Sequence, residues 1–444
     1  MQYLRQVKMK NVVVFFLILA VFFVPMGANG ISISVGFGRI SLFRFFLIGA
    51  IAAQMLRMGF LDRGFVIWRK KSKYSILFLL IWFSYAFLSI LWAADYSGFL
   101  KILWFLFVGI SLTLLFTDTC EQSDIDNIVF SFSLGVMLQA IIGWYEVFTR
   151  DYRFISGYNF DFYVSYSSRI PIAMLSNPND FATLMFLGVL FSYYLIYTEK
   201  YRKIKLLVLL FLVNDVIMIV LSQSRSVLFG LLIAVLILLW LKTKYAGKIA
   251  MFLAAMLTLV YPATRHWLLS KIDLNYFTTK GESASVRINL IRNGLLFLGK
   301  TYGFGVGNGQ IESWMSRRAV YDTHNITNMH NWWFEILTAY GIIIGAGFVI
   351  LYLKLIIDFY KIYCVNKYDN NGKRAMIICA LLGGYFLACM SSSSNMSKEY
   401  IWLFWAVCIA LQGNMVANNR VKDPESNDLQ YSVIGQKVKW RYFR

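Results

Sequence analysis

The chain has 444 residues, 59% of them hydrophobic and only 15% charged, with a mean hydropathy of +0.59. A soluble domain is about 45–50% apolar and about 25% charged, so this balance excludes an ordinary soluble enzyme. The net charge of +20 would suggest nucleic acid in a soluble protein. Here it is better explained by the Lys and Arg that cytoplasmic loops of membrane proteins collect for orientation, and no nucleic-acid partner is expected.

Apolar runs long enough to cross a hydrocarbon core of about 30 Å recur along the chain. The first follows a short basic stretch (Arg5, Lys8, Lys10) like that of a signal peptide. Its apolar run continues to Met26, with another close behind, so it reads as an uncleaved helix. About twelve spans are predicted: 10–27, 40–56, 75–94, 99–117, 126–148, 179–197, 204–221, 225–241, 247–263, 333–356, 375–391 and 399–415. The stretch 204–241 is far too long for one crossing, and Ser222-Gln223-Ser224-Arg225-Ser226 divides it into a hairpin. The fold expected is all-α: a single bundle over 1–415, a long loop at 264–332 before span ten, and a basic tail over 416–444.

Basic residues set the orientation. Arg57 to Lys73, Lys200 to Lys205, Lys242 to Lys248 and Lys361 to Arg374 share one side with both termini if there are twelve spans. Both termini are therefore expected in the cytoplasm, with the long loops 149–178 and 264–332 facing outward. The five cysteines show no CxxC pair or metal-ligand spacing, so neither disulfides nor a metal site is indicated.

The outward side is where chemistry is expected, because ionisable groups are costly inside lipid. Arg225 stands at the apex of the 7/8 hairpin; an arginine there could equally snorkel to the interface. In the long loop, Ser283 to Leu298 reads as an amphipathic helix capped by serine, lying on the bundle mouth with Arg287 in its first turn. Gly303-Phe304-Gly305-Val306-Gly307-Asn308-Gly309 lacks the strand and βαβ context of a dinucleotide loop, and reads as a flexible turn. His330 precedes span ten beside Trp332 and Trp333, which suggests the outer headgroup level. Its imidazole can accept a proton near neutral pH.

Two arginines and one histidine on the same face suit one reaction type. Arginine pairs bidentately with phosphate oxygens and stays charged, so Arg225 and Arg287 could hold a lipid diphosphate as it leaves. His330 could take the proton of an attacking sugar hydroxyl. No acidic pair recommends a metal-dependent site, and no cofactor is expected; two arginines would then replace a divalent cation.

These residues resemble the O-antigen ligase and surface-polysaccharide polymerase superfamily of bacterial membrane proteins. The resemblance rests on Leu221 to Ser226, on Arg287 opening a helix that leads to Gly303–Gly307, on His330-Asn331 with Glu335 and Gly341, and on Ser176 to Ala182. It covers residues 170–360 well and the remainder by topology. It implies a GT-C-like bundle and a metal-independent, inverting glycosyl transfer from an undecaprenyl-diphosphate-linked glycan. It assigns diphosphate binding to Arg225 and Arg287 and the base or acceptor-orienting role to His330, with Arg292, Asn331, Glu335, Asn177 and Asp180 in possible support. The family often approaches the glycine turn with Pro-Leu-Phe-Gly, where this chain has Thr301-Tyr302-Gly303-Phe304-Gly305.

The Asn-Pro-Asn-Asp-Phe-Ala and Met-His-Asn-Trp-Trp wording looks more like polymerases of capsular, exopolysaccharide or teichuronic-acid type than ligases. Partners implied are the lipid-linked oligosaccharide, membrane lipid, a flippase and a chain-length regulator. A transporter is the rival reading, but carriers of this span count usually have two symmetric halves, and none are evident here.

Overall fold

In hydrocarbon only helices and closed barrels satisfy their own backbone, so long apolar runs become helices. A computed structural model of the protein describes residues 2–29, 32–35, 38–61, 72–154, 169–175, 177–243, 245, 247 and 274–422. In chain order the helices are α1 (Gln2–Phe23), α2 (Leu42–Leu61), α3 (Lys73–Leu88), α4 (Tyr96–Thr119), α5 (Gln122–Thr149), α6 (Pro178–Ile196) and α7 (Lys205–Leu221). They continue with α8 (Arg225–Lys242), α9 (Leu274–Lys300), α10 (Ile311–Arg318), α11 (Trp332–Val365), α12 (Asn370–Ala388) and α13 (Glu399–Lys422). Among the described residues nine helices are long and apolar enough to cross a membrane. The chain is an all-α multi-pass membrane protein with one short hairpin, β1 (Ser32–Val35) and β2 (Gly38–Ser41).

Most of the expected span 247–263 lies outside the described residues, as do Ser176 and the tail from residue 423. The region expected to leave the bundle at Val416 continues as helix to Lys422. The division at Ser222–Ser224 holds: Gln223 takes a left-handed turn (φ 56°) between α7 and α8. The two helices then pack on different neighbours, α7 on α6 and α8 on α12. A Cβ on Gly230 would lie 2.6 Å from the Gly384 carbonyl, so the α8–α12 crossing depends on small residues, as close helix contacts in membranes do. Asn214, in the middle of α7, accepts from Trp144 Nε1 of α5 at 2.8 Å.

Helix lengths create a recess. Helices α6, α7, α8 and α12 have 17–19 residues, about 26–29 Å at 1.5 Å per residue. Helix α5 has 28, about 42 Å. At one end the helices are flush: Asp126, near the start of α5, pairs with Arg374 Nη1 of α12 at 2.9 Å and accepts from the Tyr194 hydroxyl of α6 at 2.8 Å. The extra length of α5 therefore all falls at the other end, where the short helices stop well below its rim.

Helix α11 departs from the expected straight span 333–356. Gly341 (φ 78°, ψ −175°) breaks it into two arms, and the first arm folds back along the second. Trp333 packs on Phe348 and on Tyr352, with ring centroids 5.6 and 4.9 Å apart. In a straight helix Trp333 and Tyr352 would be separated by about 28 Å. The start of the first arm is thus sunk about 10–16 Å below Gly341, the height of seven to eleven helical residues. His330 immediately precedes this arm and lies at the same level of the bundle. The apolar run crosses Gly341 without a polar break, which is why the two arms read as one span.

The glycine segment 303–309, expected as a flexible turn, is a buried fastening for that apex. Val306 and Gly307 donate backbone N–H to the Thr338 and Ala339 carbonyls at 2.9 Å, and Ile342 donates to the Gly303 carbonyl at 2.9 Å. Asn308 donates to the Phe99 carbonyl and accepts from the Tyr340 hydroxyl, while Gln310 accepts from the Ala94 and Asp95 N–H groups. A Cβ at Gly341 would stand 2.3 Å from the Gly303 carbonyl oxygen, on a backbone that L side chains rarely adopt. Gly341→Ala is expected to lower stability by about 2–3 kcal/mol, read as an earlier thermal transition of the detergent-solubilised protein. Gly59→Ala, which meets open space, should leave that transition unchanged.

Candidate active site

Four helix ends meet on the floor of the recess. Asn177 caps α6 by accepting from the Asn179 N–H at 2.8 Å. Asn331 caps the first arm of α11 by accepting from Trp333 and Phe334 N–H at 3.0 and 3.3 Å. Ser224 precedes α8, and its hydroxyl donates to Asn179 Oδ1 at 2.8 Å. Ser391, just beyond α12, lies 3.4 Å from the Ser224 hydroxyl and bonds that of Ser226. Three helix N-termini, of α6, α8 and the α11 arm, therefore face one place. The aligned peptide dipoles of these helices put partial positive charge at their N-termini, which favours an anion.

Arg225 and Arg287 add formal charge there. Arg225 is the first residue of α8. Arg287 lies on α9, which runs along the first arm of α11: Gly294 packs against Thr338 and Met329, and Gly303 against Ile342. Val286, Leu290, Asn293 and Phe297 form the buried face of α9. Burial, and then the nearby charge of Arg225, pull the Arg287 guanidinium below its ordinary range. Among the described residues no carboxylate pairs with Arg287. Two guanidinium groups near enough to act on one another have the charge and geometry that suit a multiply charged anion. The helix itself is longer than expected. It begins at Leu274, so Ser283 and Ser285 lie inside it and cannot cap it.

His330 joins the same cluster. Burial first, then the Arg287 charge, hold its imidazole below the ordinary 6.5, against an opposing pull from Asp180. Its Nδ1 is 3.4 Å from the Ser391 carbonyl oxygen. A carbonyl can only accept, so this contact places the proton on Nδ1 and leaves the Nε2 lone pair available as a base.

The remaining candidates have other work. Asp180 is 1% exposed and ion-paired with Lys398 Nζ at 2.6 Å. It also accepts from the Ser392 hydroxyl at 2.5 Å, and from the Ser393 N–H and hydroxyl at 2.8 and 2.6 Å. It thus fixes the loop whose Ser391 carbonyl faces His330. Glu335 clamps the next stretch, accepting from Ser394 Oγ, Asn395 N and Met396 N at 3.0, 2.9 and 3.3 Å. Asn177 and Asn331 are caps. Arg292 stands apart: five residues beyond Arg287 it is turned about 140° around α9, is exposed, and covers the Tyr321 ring at 5.5 Å.

The serine run Ser391–Ser394 and Lys398 are not among the site residues expected from the sequence. A serine run followed by a lone lysine, in a short loop between two apolar spans, was the available signal. Each of these polar groups needs a partner if that loop is buried.

The comparisons with known proteins bear on this arrangement. Residues 206–349 match the family model described as O-Antigen ligase, a stretch that includes Arg225, Arg287 and His330. The chain is also 29% identical over 416 residues to the Teichuronic acid biosynthesis protein TuaE of Bacillus subtilis (strain 168), covering 88% of this chain and 83% of that protein. Over these stretches the chain is similar to the O-antigen ligase family and to a teichuronic acid biosynthesis protein.

Proposed function

We propose that this protein polymerises a bacterial cell-surface polysaccharide. It transfers glycan from an undecaprenyl-diphosphate-linked donor to a lipid-linked repeat unit at the outer face of the cytoplasmic membrane, with both termini inside. The observation that carries this reading is the meeting of Arg225, Arg287 and His330 under three helix N-termini. A teichuronic-acid relative covering most of the chain supports an acidic polymer as product. Ligation of finished glycan to another acceptor is the second reading, favoured by the ligase description of the matched family.

In the proposed step an acceptor hydroxyl attacks the anomeric carbon of the donor sugar while its proton passes to His330 Nε2. The new carbon–oxygen bond forms opposite the breaking bond to the diphosphate, so the anomeric configuration inverts. The bonding electrons leave with the lipid diphosphate, whose growing charge is neutralised by Arg225 and Arg287 without a metal ion. Charge stabilisation of this kind is worth about 10²–10³ in rate per donor, and general base catalysis about 10²–10⁴. A flippase supplying the donor and a regulator of chain length are the partners this activity would need.

Arg287→Ala and His330→Ala are each expected to cut chain elongation at least about 100-fold while the protein still inserts and accumulates. Arg225→Lys should also be poorly active, because an ammonium cannot grip two oxygens in a fixed fork. Reconstitution with lipid-linked repeat units, followed by gel analysis of product length, checks all three; polymer of normal length would refute the assignment. A ladder supports polymerase, a single addition to a distinct acceptor supports ligase, and unextended but translocated substrate supports transport.

The base must be neutral to work, and its pKa lies below 6.5. Elongation is therefore expected to be flat between pH 7 and 8 and to fall on acidification with a midpoint below 6.5. A rate that halves near pH 7 or above would contradict this role for His330.

A further inference from the structure

A cavity of about 170 Å³ is lined in part by Lys398, the ion-pair partner of Asp180. At roughly 30 Å³ per water it has room for five or six, more than a single small ion requires. Arg44, Phe105, Met174, Lys398, Glu399 and Tyr400 are among its lining residues. None comes from α8 or α9, the helices that carry Arg225 and Arg287. Arg44 opens onto it from the first turn of α2, with Nε 2.8 Å from Glu399 Oε1 and its guanidinium 5.1 Å over the Phe105 ring. These two contacts fix the plane of the guanidinium. Lys398 also lines the cavity and reaches Asp180 at 2.6 Å. One ion pair therefore separates this cavity from the group whose charge acts on His330.

The site around Arg225 and Arg287 accounts for one anionic substrate, and a transferase needs a place for the second. We propose that this cavity is the acceptor subsite, binding an oxyanion of the glycan that receives the transferred chain. The inference rests on the glycosyl-transfer reading. A sugar carboxylate and a lipid-linked phosphate share the required chemistry. Either would meet a pre-oriented guanidinium and an ammonium, and charge-assisted hydrogen bonds are the strong ones.

The test is binding by the full-length protein in lipid nanodiscs, with three probes: a glucuronate-containing tetrasaccharide, its carboxyl-reduced neutral counterpart, and inorganic diphosphate. Two variants address the cavity. Arg44→Gln with Glu399→Gln removes the charges as a pair, so that neither is left buried alone. Met174→Trp fills the space and touches no charge. The tetrasaccharide should bind about tenfold tighter than its neutral counterpart, as one charge-assisted contact predicts, and both variants should abolish that preference. If the tetrasaccharide shows no preference but diphosphate weakens in both variants, the oxyanion is a phosphate, and the subsite stands. If neither variant weakens either probe, the proposal is overturned. Arg287→Ala separates the two readings: if it leaves diphosphate binding untouched, the donor assignment fails regardless of what the cavity does.

Discussion

Backbone that leaves a helix inside the hydrocarbon layer must find partners for its N–H and C=O groups, because each one stranded costs several kcal/mol. The largely buried segment between α12 and α13 meets the same need with two buried carboxylates. Asp180 takes up Ser392, Ser393 and Lys398, and Glu335 takes up Ser394, Asn395 and Met396. The floor of the recess, the depth of the α11 arm and the position of the Ser391 carbonyl all depend on these contacts. Removing one partner of a buried pair leaves an uncompensated charge and costs about 3–5 kcal/mol. The acids thus act on the scaffold, and in the proposed reaction the imidazole is the base and the cations meet the anion.

Charge and depth explain one another. Short helices α6, α7, α8 and α12 end below the rim set by α5, and the Gly341 reversal delivers the first arm of α11 to the same level. Positive helix ends are thereby brought together where water is restricted and electrostatic forces are weakly screened. Arginines placed there act more strongly on a diphosphate than they would at an open surface. Burial, and then the Arg287 charge beside it, disfavour a positive charge on His330.

Much of the fold was legible because membrane helices announce themselves by length and apolar content. Eleven of the twelve expected spans coincide with helices, although the tenth is only the second arm of a hairpin. The break at Ser222–Ser224 was legible from polar residues alone. The reversal at Gly341 was not, because Ile336, Leu337, Ile342 and Ile343 look alike on either side of it. The glycine segment was misread for a related reason: glycine signals backbone freedom, and only the contacts show that it was used for close packing. Within the site, Arg225, Arg287 and His330 stood out as ionisable groups in an apolar chain. Asp180 and Glu335 were visible as well, but their duties depend on a serine loop more than 50 residues away. No local pattern encodes that pairing.

The central claim is that a lipid diphosphate sits between the two guanidinium groups, with its sugar within reach of the imidazole. An electron cryomicroscopy map of the protein in nanodiscs with undecaprenyl diphosphate tests it most directly. Density for both phosphates is expected within hydrogen-bonding distance of Arg225 and Arg287, with the prenyl oxygen directed away from His330. Diphosphate density bound elsewhere, with the arginines unoccupied, would contradict it.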